Sequence, residues 1–115
     1  MSELEIRDET HGQRHTLVLT GELDGTTAHA LRTVMVGLCE GDATEIVLDL
    51  RKLDFIDWEG VQEIVASQQR AREHGCEFFL TPGRQAIARL FELVGLDRDT
   101  AARQERQPSH SDAAG

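Results

Sequence analysis

The 115-residue chain has few cysteines, prolines and aromatic residues. It contains two cysteines, two prolines, one tryptophan and no tyrosine. Cys39 and Cys76 show no CxxC or Cys/His spacing, and the five histidines define no ligand set, so we expect reduced thiols and no metal or other cofactor. The motifs GxGxxG, GxxxxGK[ST], HExxH and GxSxG are also missing. These absences argue against an enzyme.

Positive charge and long apolar runs are scarce as well. The chain has 12 Lys and Arg against 21 Asp and Glu, a formal net charge of −9 and a pI of about 4.9. Such a surface disfavours nucleic acid and anionic membranes, permits a basic protein partner, and also serves solubility alone. Among so many acids, paired carboxylates arise by chance. No apolar run is long enough to span a bilayer and no signal peptide is visible, so we expect a cytoplasmic protein.

Hydrophobic periodicity predicts seven secondary-structure elements. Alternating polar and apolar residues indicate strands at the start, whereas later stretches repeat at helical spacing and stop at Gly41 and Gly75. The predicted elements are strands 3–8, 14–20, 44–50 and 76–80 and helices 28–40, 58–74 and 84–96. The first two strands should form an antiparallel hairpin, since only the short polar link 10–13 separates them.

The predicted order β-β-α-β-α-β-α indicates an α/β fold, one mixed sheet covered by helices. Each strand–helix–strand connection should be parallel and right-handed. Residues 21–27 are interpreted as a connection and residues 51–54 as a charged link. Residues 101–115 lack large apolar side chains and are predicted to be a disordered tail. We therefore expect one domain over residues 1–100.

Three segments in the right order resemble the STAS domain family. Residues 17–24, LVLTGELD, followed by TA at 27–28 and LR at 31–32, are similar to its "GELD…TA..LR" opening. The sequence FIDWEGV at 55–61 looks like its "F-[IM]-D-S-S/T-G-[LV]" turn, and RLFELVGL at 89–96 looks like its last helix. The resemblance covers residues 1 to about 100.

Within that family, the chain resembles the bacterial anti-sigma-factor antagonists. The resemblance implies a non-enzymatic module that binds an anti-sigma factor, often itself a serine kinase, and so releases the sigma factor. The kinase phosphorylates a serine or threonine at the second position after the Asp of the turn, which abolishes binding. Here that Asp is Asp57 and the second position is Glu59, which has no hydroxyl; Trp58 stands between them. The resemblance therefore implies that phosphorylation does not switch this turn.

The same turn has a local physical interpretation. If Asp57 is the N-cap of a helix, its carboxylate accepts a free N–H from Glu59 or Gly60, a contact worth about 1 kcal/mol. Glu59 places an anion where the helix dipole favours one, for roughly 0.3–1 kcal/mol. Gly60 is expected to leave the backbone uncovered for a partner.

Two interpretations of Glu59 remain open. In the first, which we favour, the protein binds its partner permanently, with Trp58 as an aromatic anchor inside an acidic rim. In the second, Glu59 imitates the phosphorylated state, so that the ordinary partner is refused and the domain serves another assembly. The predicted partner-binding residues are Glu22, Asp24, Asp57, Trp58, Glu59 and Gly60.

Plainer alternatives stand beside these. The indole of Trp58 can fold back over Phe55 and cover the core, Asp57 can be a simple N-cap, and Glu59 can serve the helix dipole alone. A small-ligand-binding domain or a scaffold in a larger STAS complex is the alternative function. The acidic segments 22–24 and 57–59 disfavour a nucleotide as that ligand, because they repel phosphate.

Overall fold

The computed structural model describes residues 2–84 and Ile87, which form a four-stranded mixed sheet and two helices. The elements are β1 (Leu4–His11), β2 (Arg14–Leu23), α1 (Ala28–Glu40), β3 (Glu45–Ile56), α2 (Trp58–Glu73) and β4 (Glu77–Thr81). The strand order is β1-β2-β3-β4; β1 is antiparallel to β2, and the other neighbours are parallel. The predicted mixed α/β sheet is confirmed. The predicted third helix lies outside the described residues except for Arg84 and Ile87, and the predicted tail lies entirely outside them.

The opening hairpin is confirmed, with a shorter turn than the sequence indicated. Strand β1 continues to His11, which pairs with Arg14, so only Gly12 and Gln13 form the turn. Gly12 has φ 64°, the left-handed conformation that a two-residue hairpin turn requires. Residues 10 and 11 are polar but extended, because backbone pairing with β2 holds them there.

One hydrophobic core joins both helices to one face of the sheet. Leu31 and Met35 of α1 and Ile64 of α2 are fully buried in it. The sheet contributes alternating residues to the same core: Leu17, Leu19, Ile46, Leu48, Leu50, Phe78 and Leu80. Apolar residues alternate along the strands and recur at helical spacing in α1 and α2. Each element therefore turns one apolar face toward the same core. In the described part of the chain, no helix is long and apolar enough to cross a bilayer.

Strands β2 and β3 extend further than predicted. Residues 21–23 belong to β2, and residues 51–54, predicted as a link, belong to β3, where Gly21 pairs with Leu53. The pairing shifts register twice, each time leaving one extra residue on β3. A bulge of this kind breaks the alternation of side chains. It allows charged residues to lie within a strand that the sequence pattern ended at Leu50.

Candidate functional site

Helix α2 begins at an N-cap formed by Asp57. The Asp57 backbone is extended, and its Oδ1 accepts a hydrogen bond from the Gly60 N–H at 2.9 Å. The Val61 N–H then donates to the Asp57 carbonyl at 3.0 Å, which is the first hydrogen bond of the helix. The predicted cap is confirmed, with Gly60 as the donor. Asp57 is partly exposed, so its carboxylate remains near the surface.

Two large hydrophobic side chains flank this cap and face solvent. Phe55 is 50% exposed and Trp58 is 58% exposed, and they are the exposed large hydrophobics of the described residues. An indole exposed to this degree does not serve to cover the core, so that alternative for Trp58 is wrong. Exposed aromatic residues are typical of a surface that contacts another protein.

The apolar surface continues from Trp58 along the outer side of α2. It borders a groove of about 430 Å³ on that helix. The lining residues recur at helical spacing and are Trp58, Val61, Gln62, Val65, Ala66 and Gln69. Uncharged side chains line this groove throughout, in contrast to the acidic residues around the cap.

Glu59 lies at the second position of α2 and is exposed, with its carboxylate over the loop between β2 and α1. A Cβ at Gly25 would collide with Glu59 Oε1, which shows how closely the two residues approach. Gly25 therefore belongs to the site, although the sequence did not single it out. The only available signal was an Asp-Gly pair, which indicates a turn and nothing about its neighbours.

Gly60 is buried, and the expectation that it leaves the backbone uncovered for a partner is wrong. A Cβ on Gly60 would collide with the Leu23 carbonyl oxygen and lie 2.8 Å from Ile56 Cγ1. The glycine is required because α2 begins directly against the ends of β2 and β3. Its role is to position the exposed residues beside it.

Asp24 is 9% exposed, and its carboxylate organises the β2–α1 loop instead of projecting as part of an acidic rim. It accepts hydrogen bonds from the Ser2 hydroxyl, from the Thr26 N–H and hydroxyl at 2.9 and 2.8 Å, and from the Thr27 N–H at 3.3 Å. These bonds, with that of Ser2 as the largest contribution, lower the pKa of Asp24 to about 2.

Glu22 is partly exposed and pairs with Phe55 in the sheet, so it lies beside that exposed aromatic residue.

The described residues offer contact chemistry more than reactive groups. Within residues 2–84 and 87, no three histidine, cysteine or acidic side chains are grouped to hold a metal ion. Cys39 and Cys76 are free and buried, and burial raises the pKa of the Cys39 thiol, which keeps it protonated. Around the Asp57 cap, the groups that reach solvent are the aromatic rings of Phe55 and Trp58 and the carboxylates of Asp57 and Glu59.

A sequence profile described as "Mlab, STAS domain" matches residues 6–103. This chain belongs to the STAS domain family. The family and its fold are those that the resemblance of residues 17–24, 55–61 and 89–96 predicted, so the sequence-based identification is confirmed.

Known relatives include anti-sigma factor antagonists. The chain is 25% identical over 93 residues to the anti-sigma-B factor antagonist of Staphylococcus aureus (strain NCTC 8325 / PS 47), covering 81% of this chain and 86% of that protein. The unphosphorylated anti-sigma factor antagonist SpoIIAA superposes with a TM-score of 0.72 at 19% identity, over 89% of this chain and 96% of that one. An antagonist from Mycobacterium paratuberculosis gives 0.74 at 22%, over 84% and 82%. The two structures establish the likeness of fold.

Proposed function

We propose that this STAS domain is a non-enzymatic cytoplasmic module that binds an anti-sigma factor through the N-terminal turn of α2 and thereby releases a sigma factor. The names of its relatives support this assignment, since they are antagonists of anti-sigma factors. The anti-sigma factor would be a protein of the serine-kinase type. The contact residues would be Glu22, Asp57, Trp58 and Glu59, and we include Phe55 because it is exposed.

The exposure of Trp58 carries the proposal. Burying an indole that is 58% exposed would remove a large apolar area from water, at about 25 cal/mol per Å². Phe55, three residues earlier in the chain, is also exposed, and the uncharged groove along α2 begins at Trp58. Aromatic anchors surrounded by polar residues are the usual hot spots of protein interfaces. Asp24 and Gly60 support this surface from below.

Glu59 favours permanent binding over a switched interaction. Its carboxylate stands at the position that the resemblance assigns to phosphorylation, and it carries one charge where a phosphate carries about −1.5 to −2. The side chain is accommodated over Gly25 and beside the positive end of the α2 dipole. A partner adapted to one fixed negative charge accounts for both Glu59 and Trp58, whereas a refusing surface requires no tryptophan.

The test is calorimetry of the purified protein with the anti-sigma factor that it captures from its own organism. Trp58→Ala should weaken binding by about 1–2 kcal/mol, roughly 5- to 30-fold, because truncation removes the anchor. Glu73→Ala, at the exposed far end of α2, is the matched control and should bind like the native chain.

Circular dichroism of both variants checks that the fold is retained. An affinity unchanged by Trp58→Ala would contradict the anchor. Failure of every anti-sigma factor of that organism to bind would contradict the function itself.

A further inference from the structure

A second groove lies on the other side of Glu59, between α1 and α2. Its volume is about 310 Å³. The residues that line it are Gly25, Ala28, Arg32, Glu59, Gln62 and Glu63. The two carboxylates lie four residues apart on α2, one turn of helix, so they face the same side. Unlike the groove beside Trp58, this one is lined by charged groups.

Glu63 is unusual because it is buried while ionisable. Its side chain is 6% exposed, and only Oε1 is used: Arg32 donates to it through Nε at 3.3 Å and through a terminal guanidinium nitrogen at 3.0 Å. Among the described residues, nothing hydrogen-bonds the buried Oε2. A buried charged oxygen without a partner is costly, and such atoms are rare in folded proteins.

The charges of the groove do not balance. Two carboxylates, Glu59 and Glu63, face one guanidinium, that of Arg32, which leaves a net charge of −1. Arg32 is itself 54% exposed at its side chain, so it pairs with Glu63 while it remains accessible to water. One additional cation would neutralise the set. This negative charge of the groove lies on a chain whose formal net charge is already −9.

We propose that the α1–α2 groove is a subsite for a cationic side chain, an arginine, supplied by the protein partner. The guanidinium would enter beside exposed Glu59, pair with its carboxylate, and lie within the field of the half-satisfied Glu63. Arginine suits this position because its planar group donates in several directions at once and is weakly hydrated. A phosphorylated or otherwise anionic ligand is excluded by the same charges.

The proposal rests on the proposed function only in taking the arginine from a protein partner. The subsite itself belongs to this chain and can be tested without any partner. It also assigns a binding role to Glu59, because the fixed carboxylate would select a basic residue where a phosphorylatable side chain offers only a hydroxyl.

The experiment is a titration of the ¹⁵N-labelled full chain with N-acetyl-argininamide, followed by NMR. The neutral isostere N-acetyl-citrullinamide is the matched probe, and N-acetyl-lysinamide distinguishes a guanidinium site from a general cation site. Amide shifts should concentrate at the groove-lining residues Gly25, Ala28, Glu59 and Glu63 with the arginine probe. The citrulline probe should leave them unmoved, and the lysine probe should bind more weakly.

Two variants should change the affinity for the arginine probe in opposite directions. Glu59→Gln removes the exposed carboxylate and should weaken the arginine probe by about threefold or more. Arg32→Gln removes the competing cation but keeps a donor for Glu63, so it should tighten binding by a similar factor, about threefold. Glu73→Gln, outside the groove, should leave the affinity unchanged. A purely structural role for the Arg32–Glu63 pair does not predict the tightening.

Equal shifts with the arginine and citrulline probes, shifts outside the groove, or no tightening in Arg32→Gln would overturn the subsite. These outcomes are independent of the anti-sigma factor. If the anti-sigma factor fails to bind but the arginine probe does, the subsite stands and the proposed function falls. If the anti-sigma factor binds and the arginine probe does not, the proposed function stands and the subsite falls.

Discussion

At residue 59, a carboxylate stands where the resemblance places a hydroxyl that a kinase modifies. The side chain is exposed, and its Oε1 lies close over Gly25, so position 59 connects the start of α2 to the β2–α1 loop. A serine at position 59 has a shorter side chain and would lose the close contact with Gly25. It would also restore a nucleophile at an accessible helix N-terminus.

We therefore expect Glu59→Ser to acquire one phosphate when incubated with a cognate anti-sigma kinase and ATP. The native chain should gain no mass at this turn, because a carboxylate offers no acceptor hydroxyl. Mass spectrometry of the intact protein and of its peptides checks both outcomes.

A phosphate on another residue of the native chain would show that control persists elsewhere. Thr26 is exposed, whereas Thr27 and Ser67 are 8% and 0% exposed. Phosphate on native Thr26 would thus contradict the unswitched function that we propose. Absence of phosphate from Glu59→Ser would mean that the partner is no kinase for this site.

At the scale of elements, the position of α2 depends on its contact with the ends of two strands. The Asp57 N–H donates to the Leu23 carbonyl at 3.2 Å, and Gly60 packs on the same carbonyl group. The helix start is thereby fixed to both β2 and β3. This contact aims Trp58 outward and places Glu59 over the neighbouring loop.

Gly60→Ala should destabilise the fold by about 1–3 kcal/mol, because the new methyl group meets backbone and the buried Ile56 side chain. Gly37→Ala is the control with the opposite sign. Gly37 is an exposed position within α1 where a Cβ meets nothing within 4 Å, so alanine should stabilise by about 0.5–1 kcal/mol.

Urea unfolding followed by circular dichroism measures both free energies. Equal stability of Gly60→Ala and the native protein would mean that α2 can move away from β2 without loss, contrary to the packing described above.

At the scale of the whole molecule, the start of the chain is tied to the site through Asp24. The Ser2 hydroxyl donates to its carboxylate, and the Glu22 N–H donates to the Glu3 carbonyl at 2.9 Å. The pKa of Asp24, at about 2, is below its ordinary value of 3.8, so the folded state favours the ionised form. The resulting stabilisation is complete above pH 4 to 5 and is lost as the pH falls through about 2.

Asp24→Asn should therefore lower the free energy of unfolding at pH 7 and reduce its decline between pH 5 and pH 2. Urea unfolding at several pH values gives both quantities. Asp42→Asn, at an exposed loop position, is the control and should retain the native acid dependence. An identical slope for Asp24→Asn and the native protein would show that the Asp24 hydrogen bonds do not act in this way.

The sequence anticipated the elements whose signals are local. The hairpin at Gly12, the cap at Asp57 and the helix end at Gly75, with φ 76°, each depend on residues within a few positions of one another. It did not anticipate the length of β3. Three of residues 51–54 are charged, which breaks the alternation, and pairing with β2 keeps the segment extended.

Side-chain direction at the site was decided by that same pairing. A regular strand would place Leu53 and Phe55 on one face, but Leu53 is fully buried and Phe55 is 50% exposed. Their partners Gly21 and Glu22 are consecutive in β2, so the register shift leaves Asp54 as an extra residue on β3 and breaks the alternation. Gly25 under Glu59, Gly60 on Leu23 and Arg32 on Glu63 are likewise contacts between distant parts of the chain. Contacts between residues so far apart in the sequence cannot be predicted from a local pattern.

The sequence by itself determined the family, the order of elements and the carboxylate at residue 59, since motifs, periodicity and residue identity are written along the chain. The tertiary structure alone decided which of the candidate residues face solvent. It turned Trp58 and Phe55 outward, buried Asp24 and Gly60, and brought Glu59 and Glu63 to one groove, because exposure depends on what packs against a residue from elsewhere in the fold.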